Sequence, residues 1–186
     1  MALTFHGSGD PALTNQMLGL TTQLKAPITV FAVGQWLEQH PDIAGQILGA
    51  GHELANHTYT HPVLSQLGQL AVSQEITRCA AVLTEQTGGE GRWFRPSGIE
   101  SEPSALILDE ASKAGYPTVV GFDVDPRDYQ DPGASAIVAR VAAGIQAGSI
   151  VSLHLGHSGT VSAFPRIAAI LQQRKLAPVL VRDLLA

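Results

Sequence analysis

Short apolar runs alternate along the chain with longer stretches in which apolar residues recur at helical spacing, the pattern of a βα-repeating fold with a mostly parallel sheet. The first run is Ala2 to Phe5. Asp10-Pro11 then reads as a helix N-cap with proline at the first helical position, and Leu13, Met17, Leu18 and Leu20 place a helix that stops near Pro27. Further strand-like runs are predicted at Ile28 to Val33, near Glu53-Leu54-Ala55, at Trp93-Phe94, and at Thr118 to Asp123, Ile150 to His154 and Pro178 to Val181. Helices are predicted over about 35–48, 67–87, 104–114, 134–147 and 160–173. Seven strand-like runs result, and periodicity alone leaves a barrel and an open sheet equally available. No internal repeat interrupts the pattern. The glycine-rich stretch at 88–91 is loop-sized, too short for a linker, so one domain over 1–186 is expected.

Composition supports a single core: 186 residues, 45% hydrophobic and 15% charged. The net charge is -5, and the 11 Lys and Arg residues are scattered, which excludes a phosphate-tracking face for nucleic acid or an anionic-membrane patch. Cys79 is the single cysteine, so an internal disulfide and a cysteine-rich zinc module are both excluded; on its alanine-rich helix it reads as a small core residue. No stretch approaches the roughly 20 apolar residues of a membrane helix. The first six residues carry neither a basic region nor a cleavage site, so no export signal is expected in the chain as given.

In βα folds the loops after the strand carboxyl ends build the active site. Here polar residues, most of them ionisable, recur at those places: His6, Asn56-His57, Arg95, then Asp123, Asp125 and Asp128, and His154. The sharpest local signal is His57-Thr58-Tyr59-Thr60-His61, where two imidazoles meet on one face if the segment is helical or a tight turn, a pair able to chelate a divalent ion. Residue 58 is not Glu, so a zincin protease helix is not supported. Blander readings apply elsewhere. His52 is expected to pack or hydrogen-bond near the third strand, His40 to face solvent, His157 to be a loop histidine, and Trp36 and Trp93 to be core aromatics.

Taken together, these residues resemble the NodB-type polysaccharide deacetylases, carbohydrate esterase family 4. The resemblance runs through Leu3-Thr4-Phe5, Phe31 to Trp36, Gly51 to Pro62, Phe94-Arg95-Pro96, Asp123-Val124-Asp125 with Asp128-Tyr129, and Leu153-His154, in the family's order and spacing. It implies a distorted (β/α)7 barrel and metal-dependent removal of acetyl groups from N-acetylated, or in some members O-acetylated, carbohydrate polymers, an enzyme acting on non-peptide carbon–nitrogen bonds. By the same resemblance His57 and His61 bind the metal, His154 is the general acid that protonates the leaving amine, Asp128 orients it, and Arg95 fixes the catalytic carboxylate. Tyr129 stands where the family carries a tryptophan lining the acetyl pocket. The resemblance further implies an acetylated oligo- or polysaccharide as partner, a monomer, and an extracellular or cell-wall setting.

The first motif departs from the family. Where the family reads Thr-Phe-Asp-Asp-Gly, this chain reads Thr4-Phe5-His6-Gly7-Ser8: His6 replaces the catalytic-base aspartate and Gly7 the metal-binding one. Arg-Pro-Pro-Tyr-Gly becomes Arg95-Pro96-Ser97-Gly98-Ile99, the leucine two before the catalytic histidine becomes Ser152, and the aspartate after it becomes Leu155. Gly98 still offers the backbone amide of the oxyanion donor, and Gly98, Ser152 and Tyr129 are the expected substrate contacts. Two arrangements remain open for His6. It joins His57 and His61 in a three-histidine zinc site whose water is the nucleophile, or it acts as the base beside a two-histidine site. A different class of function is a pseudo-deacetylase that binds glycan through the retained groove.

Overall fold

The computed structural model describes residues 1–89, 91–98 and 102–186, so Glu90 and Ile99 of the stretches above lie outside the described residues. Among the described residues, four strands and eight α-helices follow in chain order: β1 (Ala2–Gly7), α1 (Pro11–Gln23), β2 (Ile28–Ala32), α2 (Gly34–Gln39), α3 (Asp42–Gly49), β3 (Glu53–Asn56), α4 (Gln69–Thr87), α5 (Ala105–Lys113), α6 (Ala134–Gly144), β4 (Ile150–His154), α7 (Ser158–Gln173) and α8 (Val181–Leu184). The sheet runs β3-β2-β1-β4. β1 and β4 pair in parallel, with Thr4 opposite Ser152 and His6 opposite His154. Every residue of β1, β2 and β3 is buried, which is why β2 and the first half of β1 read as largely apolar runs rather than alternating ones.

The remaining strand-like runs form single parallel bridges rather than ladders: Phe94 with Asn56, Val119 with Phe94, Val124 with Val151, and Val179 with Ala2. Local chemistry explains their brevity. Pro96 and Pro178 have no N–H to give to a ladder. The Asp123 carboxylate accepts from the Ile150 N–H at 2.6 Å, doing with a side chain what a ladder carbonyl would do. Val181 opens α8 instead of ending a strand.

The helix expected over 35–48 is two helices, because Pro41 cannot donate and His40 leaves the helical region at φ -135, ψ 67. α1 starts as its sequence requires, with the Asp10 carboxylate accepting from Ala12 N–H at 2.7 Å. α4 starts two residues later than expected and ends on Gly88 at φ 79, a left-handed cap. α6 stops at Gly144, three residues short of the expected end. Pro165 sits inside α7 on its exposed side, where water can serve the carbonyl left unbonded. Among the described residues no helix is long and apolar enough to cross a membrane.

Contacts divide the chain into two compact units. One comprises Met1–Val30, Ile47–Glu53 and Phe122–Ala186; the other comprises Phe31–Gln46 and Leu54–Gly121. In the first, α7 packs against α1 and α6, and Phe5 meets Phe164 at 6.1 Å between ring centroids. In the second, Leu64, Val72, Ile76, Phe94, Ile107 and Tyr116 form a buried cluster between α4 and α5. Cys79 belongs to the same unit, with its Sγ 3.4 Å from the Ala32 carbonyl; burial pushes its thiol up to about 12. Trp36 and Trp93 are buried, as the sequence suggests.

His52 has a defined neutral form. The Ile28 N–H donates to its Nδ1 at 3.4 Å, so the ring proton is on Nε2 and goes to the Thr21 hydroxyl at 2.8 Å, which in turn donates to the Leu18 carbonyl. Burial holds its pKa below the ordinary histidine value. The folded state thus binds fewer protons here than the unfolded state once pH drops through the ordinary range, so stability falls as pH falls. Urea midpoints from about pH 7.5 to pH 5 are expected to drop less steeply in His52→Gln than in the parent. Equal slopes would remove His52 from the account.

Candidate metal centre and histidine–aspartate dyad

The His57–His61 segment is neither helix nor simple turn. Thr58 and His61 take left-handed backbone conformations, φ 69 and φ 61, which L-residues occupy only when their surroundings fix them. Here the surroundings are polar and specific. Thr58 N–H donates to the Asn56 side chain, Thr58 Oγ1 bonds both the His57 carbonyl and Ser97 Oγ, and Ser97 Oγ donates to the Pro62 carbonyl at 2.6 Å. The Glu75 carboxylate, on α4, accepts from the N–H groups of Tyr59 and Thr60 and from the Thr60 hydroxyl. Gly98 sits beneath the loop at φ 63, and a Cβ there would lie 2.8 Å from Val63 Cα.

This scaffold brings the two rings to 4.9 Å between centroids. His57 is fully buried and its Nδ1 donates to the Arg95 carbonyl at 2.8 Å, a bond that fixes the tautomer and makes Nε2 the lone-pair nitrogen. Each of His6, His57 and His61 offers one ring nitrogen, and the three atoms lie within 4.8 Å of one another. Zinc–nitrogen bonds of about 2.0–2.1 Å space neighbouring ligands by about 3 to 3.5 Å. The three residues are a donor set that could hold a metal ion.

Arg95 is the largest fully buried side chain. Its guanidinium lies 4.0 Å from the Phe31 ring centroid, Nε donates to the Val120 carbonyl and Nη2 to the Gly121 carbonyl, each at 3.0 Å. Burial lowers its pKa to about 9. The sequence pointed to a carboxylate-fixing role for Arg95; the bonds described here tie it to backbone carbonyls, and its own carbonyl orients His57.

The second cluster lies on β4 and the loop before α6. Asp128, fully buried, opens a 3-10 turn over Asp128–Gln130 flanked by Arg127 and Asp131, both left-handed. Its carboxylate is saturated with donors. Oδ1 takes the His154 ring Nδ1 at 2.7 Å and the Tyr129 N–H at 3.1 Å; Oδ2 takes the His154 backbone N–H at 2.8 Å and the Thr160 hydroxyl at 2.6 Å. Thr160 ties the carboxylate to the first turn of α7. With Nδ1 committed to Asp128, Nε2 is the nitrogen His154 can present to a substrate. The His6 ring stacks on His154 at 4.4 Å and 25°, and its Nε2 meets Ser152 Oγ at 2.9 Å. Tyr129, partly exposed, stands edge-on to His154 at 5.1 Å.

Ser152, expected as a substrate contact, is 1% exposed and turned to His6. His157 lies outside the dyad, 3.0 Å from Asp131. Thr160 and Glu75 were not singled out in the sequence, and Ser97 stood there only as a departure from the family pattern: each reaches the motif residue it supports across 15 or more positions of the chain, which no local signal marks. Asp123, one of the strand-end carboxylates, ties Ser149 and Ile150.

Comparison with known proteins identifies the family. A family profile described as polysaccharide deacetylase matches residues 1–119. A chitooligosaccharide deacetylase from Bradyrhizobium is 36% identical over 157 residues, covering 83% of this chain and 70% of that protein. A peptidoglycan-N-acetylglucosamine deacetylase from Bacillus cereus is 34% identical over 189 residues, covering 100% and 87%. Among solved structures, a family 4 carbohydrate esterase from Streptomyces lividans in complex with acetate superposes with a TM-score of 0.89 at 31% identity, covering 97% of this chain and 92% of that one.

Proposed function

Because the chain belongs to the polysaccharide deacetylase family, we propose that it is a divalent-metal-dependent hydrolase that removes acetyl groups from N-acetylated, or O-acetylated, carbohydrate polymers. The observation that carries this reading is the His6, His57 and His61 group with the Asp128–His154 dyad stacked against one of its members. Relatives named as acting on chitooligosaccharide and on peptidoglycan make acetylated glucosamine polymers the first substrates to try.

His57 and His61, with His6 as the third donor, would hold the ion; an all-imidazole set with an open position suits zinc. A bound ion would supply Lewis-acid polarisation of water and of the acyl oxygen. His154 delivers a proton from Nε2 to the leaving nitrogen, and Asp128 stabilises the imidazolium and fixes its orientation. The Gly98 N–H is the backbone donor for the developing oxyanion, and Tyr129 covers the dyad on its open side. Arg95 acts at a distance, as the residue whose carbonyl sets the His57 tautomer.

One observation favours a second reading. Neither family aspartate of the first motif is present at His6 and Gly7, so a base carboxylate is missing from β1. On that reading the chain binds glycan without hydrolysing it. Metal content separates the two. Protein purified without chelator or affinity tag is expected to carry about one equivalent of divalent ion and to release acetate from chitin oligomers or peptidoglycan fragments; His6→Ala is expected to lose both. A parent protein that stays metal-free after divalent ions are supplied would favour the glycan-binding reading.

A further inference from the structure

Two departures from the family pattern, the aspartate replaced by His6 and the leucine replaced by Ser152, meet in one hydrogen bond. They lie on adjacent parallel strands, and the register that sets Thr4 opposite Ser152 and His6 opposite His154 puts all four side chains in one patch of the sheet. Thr4 is turned away to the Val151 carbonyl at 2.6 Å, which leaves the Ser152 hydroxyl facing the imidazole. Both partners are buried, His6 at 9% exposure and Ser152 at 1%. A leucine at 152 could not make this bond, and the family's aspartate at 6 has no ring N–H to donate to the serine oxygen.

We propose that Ser152 is a positioning residue for His6: its hydroxyl holds Nε2 and so assigns Nδ1 as the nitrogen His6 gives to a divalent ion. The inference rests on the three-histidine reading above. An imidazole nitrogen has a single in-plane direction, occupied by a proton or by a lone pair, so Nε2 cannot serve both the serine and an ion along that direction. With Ser152 Oγ accepting the Nε2 proton, the neutral ring carries its lone pair on Nδ1. His57 is set the opposite way, with Nδ1 on the Arg95 carbonyl and Nε2 as the lone-pair nitrogen. The centre is therefore built from histidines of opposite tautomer, each selected by an oxygen behind it. Stacking on His154 supplies the second restraint on the His6 ring plane.

The experiment titrates zinc alone into metal-free protein against a competing chelator, for the parent, Ser152→Ala, Ser152→Thr and Ser152→Leu. Ring-nitrogen chemical shifts of His6, assigned through His6→Gln, are recorded with and without zinc. The parent is expected to show His6 protonated on Nε2, with zinc shifting Nδ1. Ser152→Ala and Ser152→Leu are expected to bind zinc about tenfold or more weakly and to lose the Nε2–H preference; Ser152→Thr, which keeps the hydroxyl, is expected to restore both. Zinc shifting Nε2 of His6, or Ser152→Ala binding zinc as tightly as the parent, overturns the inference while leaving the three-histidine centre standing. A parent that binds no zinc fails at the earlier step and overturns both.

Discussion

Replacing His154 with alanine is expected to lower kcat for acetate release by about 10²- to 10⁴-fold, the range general acid catalysis covers, while bound metal stays at the parent level. The reasoning is local. His154 presents one nitrogen to Asp128 at 2.7 Å and has the other for the leaving group, so its removal takes away the proton donor and one stacking restraint on His6, whose ring the Ser152 hydroxyl still holds, and nothing that supports His57 or His61. Asp128 keeps the Thr160 hydroxyl and the residue 154 backbone N–H, so the carboxylate remains in place. Acetate release, elemental analysis and a thermal melt on the same sample separate chemistry from folding. Turnover at the parent rate would falsify the acid role.

Gly98→Ala is expected to cost about 2–4 kcal/mol of stability, summing a left-handed residue that gains a Cβ with a contact that has no flexible partner. The new Cβ would meet Val63 Cα at 2.8 Å and the Pro62 carbonyl at 3.2 Å, both backbone, so relief requires moving the main chain next to His61. The variant is therefore expected to lose metal affinity as well as stability, although residue 98 is not itself a ligand. Urea unfolding gives the first quantity and zinc titration the second. A stable Gly98→Ala protein with parent affinity would mean that the Pro62–Val63 backbone yields without disturbing the histidine pair.

Sequence pattern carried the elements with strong local signals. Asp10-Pro11 starts α1, Gly88 ends α4, and Ile28 onward and Ile150 onward are strands, because capping chemistry and buried apolar runs are properties of neighbours in sequence. It failed where a side chain does backbone work, as Asp123 does beside Ile150, and where a proline acts according to its setting: Pro41 breaks a helix and Pro165 rides inside one. The site divides the same way. His57 and His61 are visible as a pair because they stand four positions apart. What holds them, namely Glu75 on a helix, Ser97 on a loop and the Arg95 carbonyl, is set by tertiary placement that no local period encodes. The serine behind His6 is visible in the sequence as a substitution, but only the β1–β4 register shows what its hydroxyl faces.

Cys79 has a practical consequence. Its thiol is completely buried and pushed up to about 12, so at neutral pH the thiolate that alkylating reagents require is absent and the atom is out of their reach. A cysteine introduced at an exposed position such as Leu70, 73% accessible on α4, would be the one nucleophile a maleimide dye could find. Fluorophores or spin labels can thus be attached one per molecule in the native background, and glycan binding and turnover followed on the same labelled protein.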